Sequence, residues 1–211
     1  MLAAAGCGGD EADPPDPVLA RLLGELGPPS TERDPSRPPP DDHYGALLRA
    51  IVGQQLSVRA ARAIYGRMLE RFGGRTPSPR ELLDDDPEEL RAAVGLSRAK
   101  VAFLRSLAEH VLTGELELDR LQELSDEEVA AALVAVKGIG QWSADIFLMF
   151  SLGRPDVLAV GDLGIRRAVQ RAYGLEDLPA AAELTALAEP WRPHRTAACL
   201  LLWSSLGNAP T

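Results

Sequence analysis

The stretch Leu133-Val-Ala-Val-Lys-Gly-Ile-Gly-Gln-Trp-Ser-Ala-Asp145 constrains this chain more than any other. It reads as a helix, a tight glycine turn and a second helix. Gly138 and Gly140 bracket the turn, where glycine adopts φ > 0 freely and lets another backbone approach closely. The free N–H groups of such a turn, with the start of the next helix, form a small anion site suited to a phosphate. Downstream lies Val160-Gly-Asp-Leu-Gly-Ile-Arg166, with a lone carboxylate at Asp162.

The surrounding sequence favours helices. Ala and Leu dominate, aromatic residues make up 5%, and valines fall in helix-period patterns rather than strand alternation. The predicted fold class is all-α. Asp16-Pro17, Ser57, Ser78-Pro-Arg-Glu81, Asp86-Pro-Glu-Glu89 and Ser125-Asp-Glu-Glu128 are helix starts by their caps. Further helices are predicted over Asp42–Ile51, from Leu96 to near Gly114, and over 141–151, 162–173, 180–188 and 195–206. Residues 1–15 have the composition of a disordered tail, and 27–41, with six prolines, that of an extended linker.

Charge first argues against a nucleic-acid partner, since the formal net charge is -9. Its distribution reverses that reading. Residues 1–42 hold nine acids against three arginines, a net of -6, so the remainder carries only -3. Arg59, Arg98, Lys100, Lys137, Arg166 and Arg167 stand near the candidate DNA-facing motifs. Two cysteines, Cys7 and Cys199, cannot build a four-cysteine iron–sulfur centre, and no CxxC or HxxxH spacing suggests zinc. Leu2–Cys7 lacks the charged start and apolar core of a signal peptide, and no apolar run approaches membrane-spanning length. The expected location is cytoplasmic, nucleoid-associated in a bacterium.

The hairpin followed by Asp162 resembles the helix-hairpin-helix (HhH-GPD) DNA glycosylase superfamily. Trp142, Gly161–Arg166 and Trp191-Arg-Pro-His-Arg-Thr196 are most similar to its AlkA-type 3-methyladenine glycosylases. The resemblance covers roughly residues 42–206, and too few residues precede it for the N-terminal α/β domain of longer AlkA-type members. It implies a two-lobed helical domain over 16–211, one lobe over 55–160 and the other combining 16–54 with 161–211. It further implies hydrolysis of the N-glycosidic bond of alkylated purines in damaged double-stranded DNA, by a monomer acting in base excision repair.

The resemblance assigns the catalytic role to Asp162, which by its own sequence context is equally an N-cap of the next helix. Asp145 is the competing carboxylate. Trp142 and Trp203 match base-pocket aromatics, while Ile146 and Leu163 replace others expected there. Bifunctional relatives carry a nucleophilic lysine where this chain has Trp142, and indole cannot form a Schiff base, so no strand cleavage is expected. Gln54, Gln55 and Leu56 match the segment that plugs the stack left by a flipped base. Lys137, Gly138, Gly140 and Arg166 would hold the DNA backbone. Main-chain carbonyls of Val134, Val136 and Ile139 would hold a monovalent cation, Na+ or K+; no cofactor is required for the reaction. Two alternatives stay open: a glycosylase for another damaged base, and a non-catalytic DNA clamp, since such hairpins also bind DNA without regard to sequence.

Overall fold

The structure, a computed structural model, describes residues 16–29 and 42–207. The expected tail 1–15 and most of the proline-rich linker lie outside the described residues. These contain eleven α-helices and no strand. In chain order the helices are α1 Pro17–Leu26, α2 His43–Gly53, α3 Val58–Arg71, α4 Pro79–Asp84, α5 Pro87–Val94 and α6 Arg98–Thr113. Then come α7 Asp126–Ala135, α8 Gln141–Phe150, α9 Leu163–Tyr173, α10 Ala181–Leu187 and α11 Arg195–Ser205. Short 3-10 turns cover Leu118–Glu123 and Glu189–Trp191. None of the helices is long and apolar enough to cross a membrane, among the described residues.

The predicted caps set these boundaries. Ser57, Ser78, Asp86 and Ser125 each accept from amides of the first helical turn, and the boxes Ser78–Glu81 and Ser125–Glu128 close reciprocally. The apolar faces so aligned meet in one core that includes Leu48, Ile51, Met68, Leu104, Leu133 and Ile165, all at most 1% exposed. Burying each such side chain contributes roughly 1.5–3 kcal/mol. α2 packs on α3, α6 and α8, whereas α1 and α9 both pack on α11.

Two features of this packing were not predicted. Asp16 caps α1 as expected, but its Oδ2 also accepts from the Tyr173 hydroxyl (2.7 Å) and the Trp191 indole (3.2 Å). Burial pushes this carboxyl up; donors from Tyr173, Leu19, Trp191 and Val18 outweigh it and hold it below its usual value. Basic side chains also close helix ends internally. Arg67 Nε donates to the Val94 carbonyl at the end of α5, and Arg105 to Leu82, Leu83 and Asp85 carbonyls at the end of α4.

Candidate active site

The α7–α8 hairpin turns at Val136–Gly140. Gly138 sits at φ +91, and a Cβ there would fall inside the Phe103 ring. Both the backbone conformation and the space thus require glycine. α8 starts at Gly140 with no side-chain cap, and the amides of Gly138 and Gly140 donate to no protein acceptor among the described residues. An exposed helix start with unspent amides is an anion site. Lys137 is exposed beside it. Around the same turn the Val136 carbonyl accepts one hydrogen bond, from Ile139 N–H, and those of Val134 and Ile139 accept none among the described residues. This all-oxygen, uncharged donor set fits a monovalent cation.

Asp162 caps α9, its Oδ1 accepting from Ile165 N–H at 2.8 Å. Two indoles complete its environment. Trp142, on the first turn of α8, donates Nε1–H to Oδ2 at 2.6 Å, and Trp203, on α11, donates to Oδ1 at 2.9 Å. Helices α8, α9 and α11 thus converge on one half-buried carboxylate with three donors aimed at it.

The two tryptophans differ in what they leave free. Trp142 is 45% exposed, so much of its ring is open beside the carboxylate. Trp203 is 3% exposed and stacks on Phe150, with centroids 6.3 Å apart. It presents its N–H to Asp162 rather than an open face to a base. Leu163, 48% exposed, borders the same carboxylate in sequence. A cavity of about 400 Å3 opens beside Met149, Phe150, Pro155, His194 and Leu200, but reaches none of Asp162, Trp142 and Trp203. The carboxylate itself is half-buried.

The competing carboxylate is elsewhere. Asp145 is 5% exposed; its Oδ1 accepts from Gln141 Nε2 at 2.8 Å, while its Oδ2 has no hydrogen-bond partner. Burial pushes its carboxyl up, against the lowering effect of Gln141. A group walled off in this way suits a structural role.

Several expected DNA contacts are redistributed. Gln54, grouped by sequence with the wedge, turns inward and donates Nε2–H to the Gly138 carbonyl at 2.8 Å. Gln55 and Leu56 are exposed at the loop tip, with Gln55 at φ +56. Lys100 is spent on the carbonyls of Val52 and Gln54, Arg98 reaches Glu88, and Arg166 Nε donates to the Pro179 carbonyl. Of the six basic residues near the DNA-facing motifs, Arg59, Arg98, Lys137 and Arg167 are exposed, and Arg98 is the one of these four with an acidic partner among the described residues. Sequence reasoning missed Gly164, where a Cβ would stand 2.9 Å from Asp162 Oδ1 and 3.3 Å from the Trp203 indole. A glycine in the first turn of a helix was the available signal, since it costs about 1 kcal/mol against alanine and asks for a packing reason.

Residues 48–193 match the family described as HhH-GPD superfamily base excision DNA repair protein. The chain belongs to this superfamily. It is 37% identical over 164 residues to DNA-3-methyladenine glycosylase 1 of Schizosaccharomyces pombe, covering 77% of this chain and 72% of that one. The structure of the Schizosaccharomyces pombe 3-methyladenine DNA glycosylase in complex with abasic DNA superposes with a TM-score of 0.78 at 34% identity, over 92% of this chain and 94% of that chain. A DNA-3-methyladenine glycosidase from Bacillus halodurans superposes with a TM-score of 0.74 at 35% identity, over 93% and 92%. The all-α architecture is thus the HhH-GPD fold.

Proposed function

We propose that this HhH-GPD protein is a monofunctional DNA glycosylase that hydrolyses the N-glycosidic bond of alkylated purines of the 3-methyladenine type in duplex DNA. The observation that carries the reading is the Asp162 carboxylate, fixed by the Trp142 and Trp203 indoles at the protein surface.

The chemistry follows from that geometry. As the C1′–N bond breaks, the sugar becomes oxocarbenium-like, the base leaves with the bonding electrons, and water adds at C1′ and gives up a proton to solvent. A preoriented carboxylate stabilises the positive charge without reorganising. Alkylation puts positive charge on the purine, and the open face of Trp142 suits it by stacking and cation–π attraction. To reach the site the base leaves the duplex, and the exposed Gln55–Leu56 tip fills the gap. The amides of Gly138 and Gly140, with Lys137, hold the backbone phosphate. The carbonyls of Val134, Val136 and Ile139 would hold Na+ or K+, which would add positive charge beside that phosphate.

The lysine inventory argues for hydrolysis without strand cleavage. The sequence contains two lysines, Lys100 and Lys137. Lys100 is committed to main-chain carbonyls, Lys137 precedes the turn, and the bifunctional position is Trp142. The protein acts as a monomer, and the expected compartment is cytoplasmic. Release of free bases from methylated duplex DNA tests the reading, with wild type compared against Asp162→Asn. Release of 3-methyladenine by wild type and loss of roughly 100-fold or more in the variant is expected for a transition-state electrostatic group. DNA binding without release of any methylated base would point instead to another lesion or to a clamp.

A further inference from the structure

Both surfaces that would meet DNA hang from one face of α6. Lys100, Phe103 and Ser106 recur along that helix at the spacing that places side chains on one side. Lys100 Nζ donates to the Val52 carbonyl (2.7 Å) and the Gln54 carbonyl (2.8 Å), at the end of α2. The Phe103 ring occupies the space where Gly138 lacks a Cβ. Ser106 Oγ accepts the Lys137 amide at 3.2 Å. A cross-tie joins the two loops directly, from Gln54 Nε2 to the Gly138 carbonyl at 2.8 Å.

Between these anchors stands one conformational outlier. Gln55, at φ +56, is the only non-glycine residue with positive φ among the described residues, and it is exposed. A side-chain-bearing residue keeps that conformation only where its surroundings impose it. Lys100 and Gln54 are the side chains that tie the backbone next to Gln55 to the rest of the protein. Lys100 has no acidic partner among the described residues; its two partners are carbonyls, one belonging to the residue just before Gln55. Burial holds its ammonium below the ordinary lysine range. Arg67 and Arg105 also close helix ends, but neither holds a strained loop.

We propose that Lys100 and Gln54 are positioning residues for base extrusion: they hold the Gln55–Leu56 tip in its strained pose and in fixed register with the phosphate-binding turn. The tip then enters the duplex at a set distance from the gripped phosphate. The inference rests on the glycosylase reading, and it concerns the extrusion step rather than bond cleavage.

The test separates these steps. A duplex carries one methylated purine, either paired or set opposite an abasic site where little pairing is lost on extrusion. Lys100→Met is expected to lower single-turnover release from the paired lesion by roughly tenfold or more, while release from the unpaired one stays within about twofold. Gln54→Ala is expected to act in the same direction, and it carries the comparison where Lys100→Met fails to fold. A 2-aminopurine beside the lesion reports extrusion without chemistry, and both variants are expected to reduce its fluorescence rise on binding. Equal losses on both substrates, or an undiminished paired rate and fluorescence rise, would overturn the proposal. Wild type that releases no base from either duplex would fail the glycosylase reading instead, and the fluorescence comparison would still decide this one.

Discussion

The Trp203 indole and the Asp162 carboxylate, 41 residues apart in sequence, meet at 2.9 Å, and Gly164 is the residue that lets them meet. With Trp142 on the other oxygen, the carboxylate has a fixed orientation before any substrate arrives. Preorganisation of this kind is what a group stabilising a developing charge requires.

Gly164→Ala tests that arrangement. An added Cβ would lie 2.9 Å from Asp162 Oδ1 and 3.3 Å from Trp203, so one of them must shift. Alanine favours a helix over glycine by about 1 kcal/mol, which offsets part of the steric cost to stability. The expected outcome is base release lowered by roughly tenfold or more with little change in thermal stability. Full activity in the variant would show that the close packing around Asp162 is unimportant for the chemistry.

Asp145 supplies the opposite case and a pH signature. Burial raises its carboxyl in the folded state above the ordinary value of 3.8. The folded protein therefore binds the proton more tightly than the unfolded chain. The resulting cost to stability is absent below the unfolded value, grows as pH rises toward the folded one, and stays constant above it. Asp145→Asn removes this titration. Urea unfolding at pH 3 to 8 is expected to show the variant gaining on wild type with rising pH, whatever its absolute stability. Base release by the variant is expected to stay within about threefold of wild type, since a structural group makes no transition-state interaction.

Lys137 carries a prediction about salt. It is exposed beside the unspent amides of Gly138 and Gly140. Lys137→Ala is expected to weaken binding to any duplex and to reduce the slope of log affinity against log salt by about 1. Titrations between low and moderate salt would measure it, and an unchanged slope would place the phosphate contact elsewhere.

Much of this protein was legible in one dimension because its signals are local. Ser57, Ser78, Asp86 and Ser125 mark helix starts through bonds spanning two or three residues. The Gly138–Gly140 turn is local too, and with Asp162 at 22 residues beyond Gly140 it was enough to point to the HhH-GPD superfamily. Residues whose work depends on distant partners were not legible in the same way. Lys100 looked like a DNA contact and instead holds carbonyls more than forty residues away, and Gln54 looked like a wedge but reaches Gly138. Trp203 matched a base-pocket aromatic, and only the packed structure shows that it gives its N–H to Asp162.

The sequence by itself determined the helices, their caps and the turn, because those depend on backbone geometry and neighbours within a few residues. Only the tertiary structure decided which cations remain for DNA, which carboxylate faces the surface, and why Gly164 is glycine. Those outcomes depend on what each side chain meets after the helices pack, where burial and partner choice outweigh intrinsic residue chemistry.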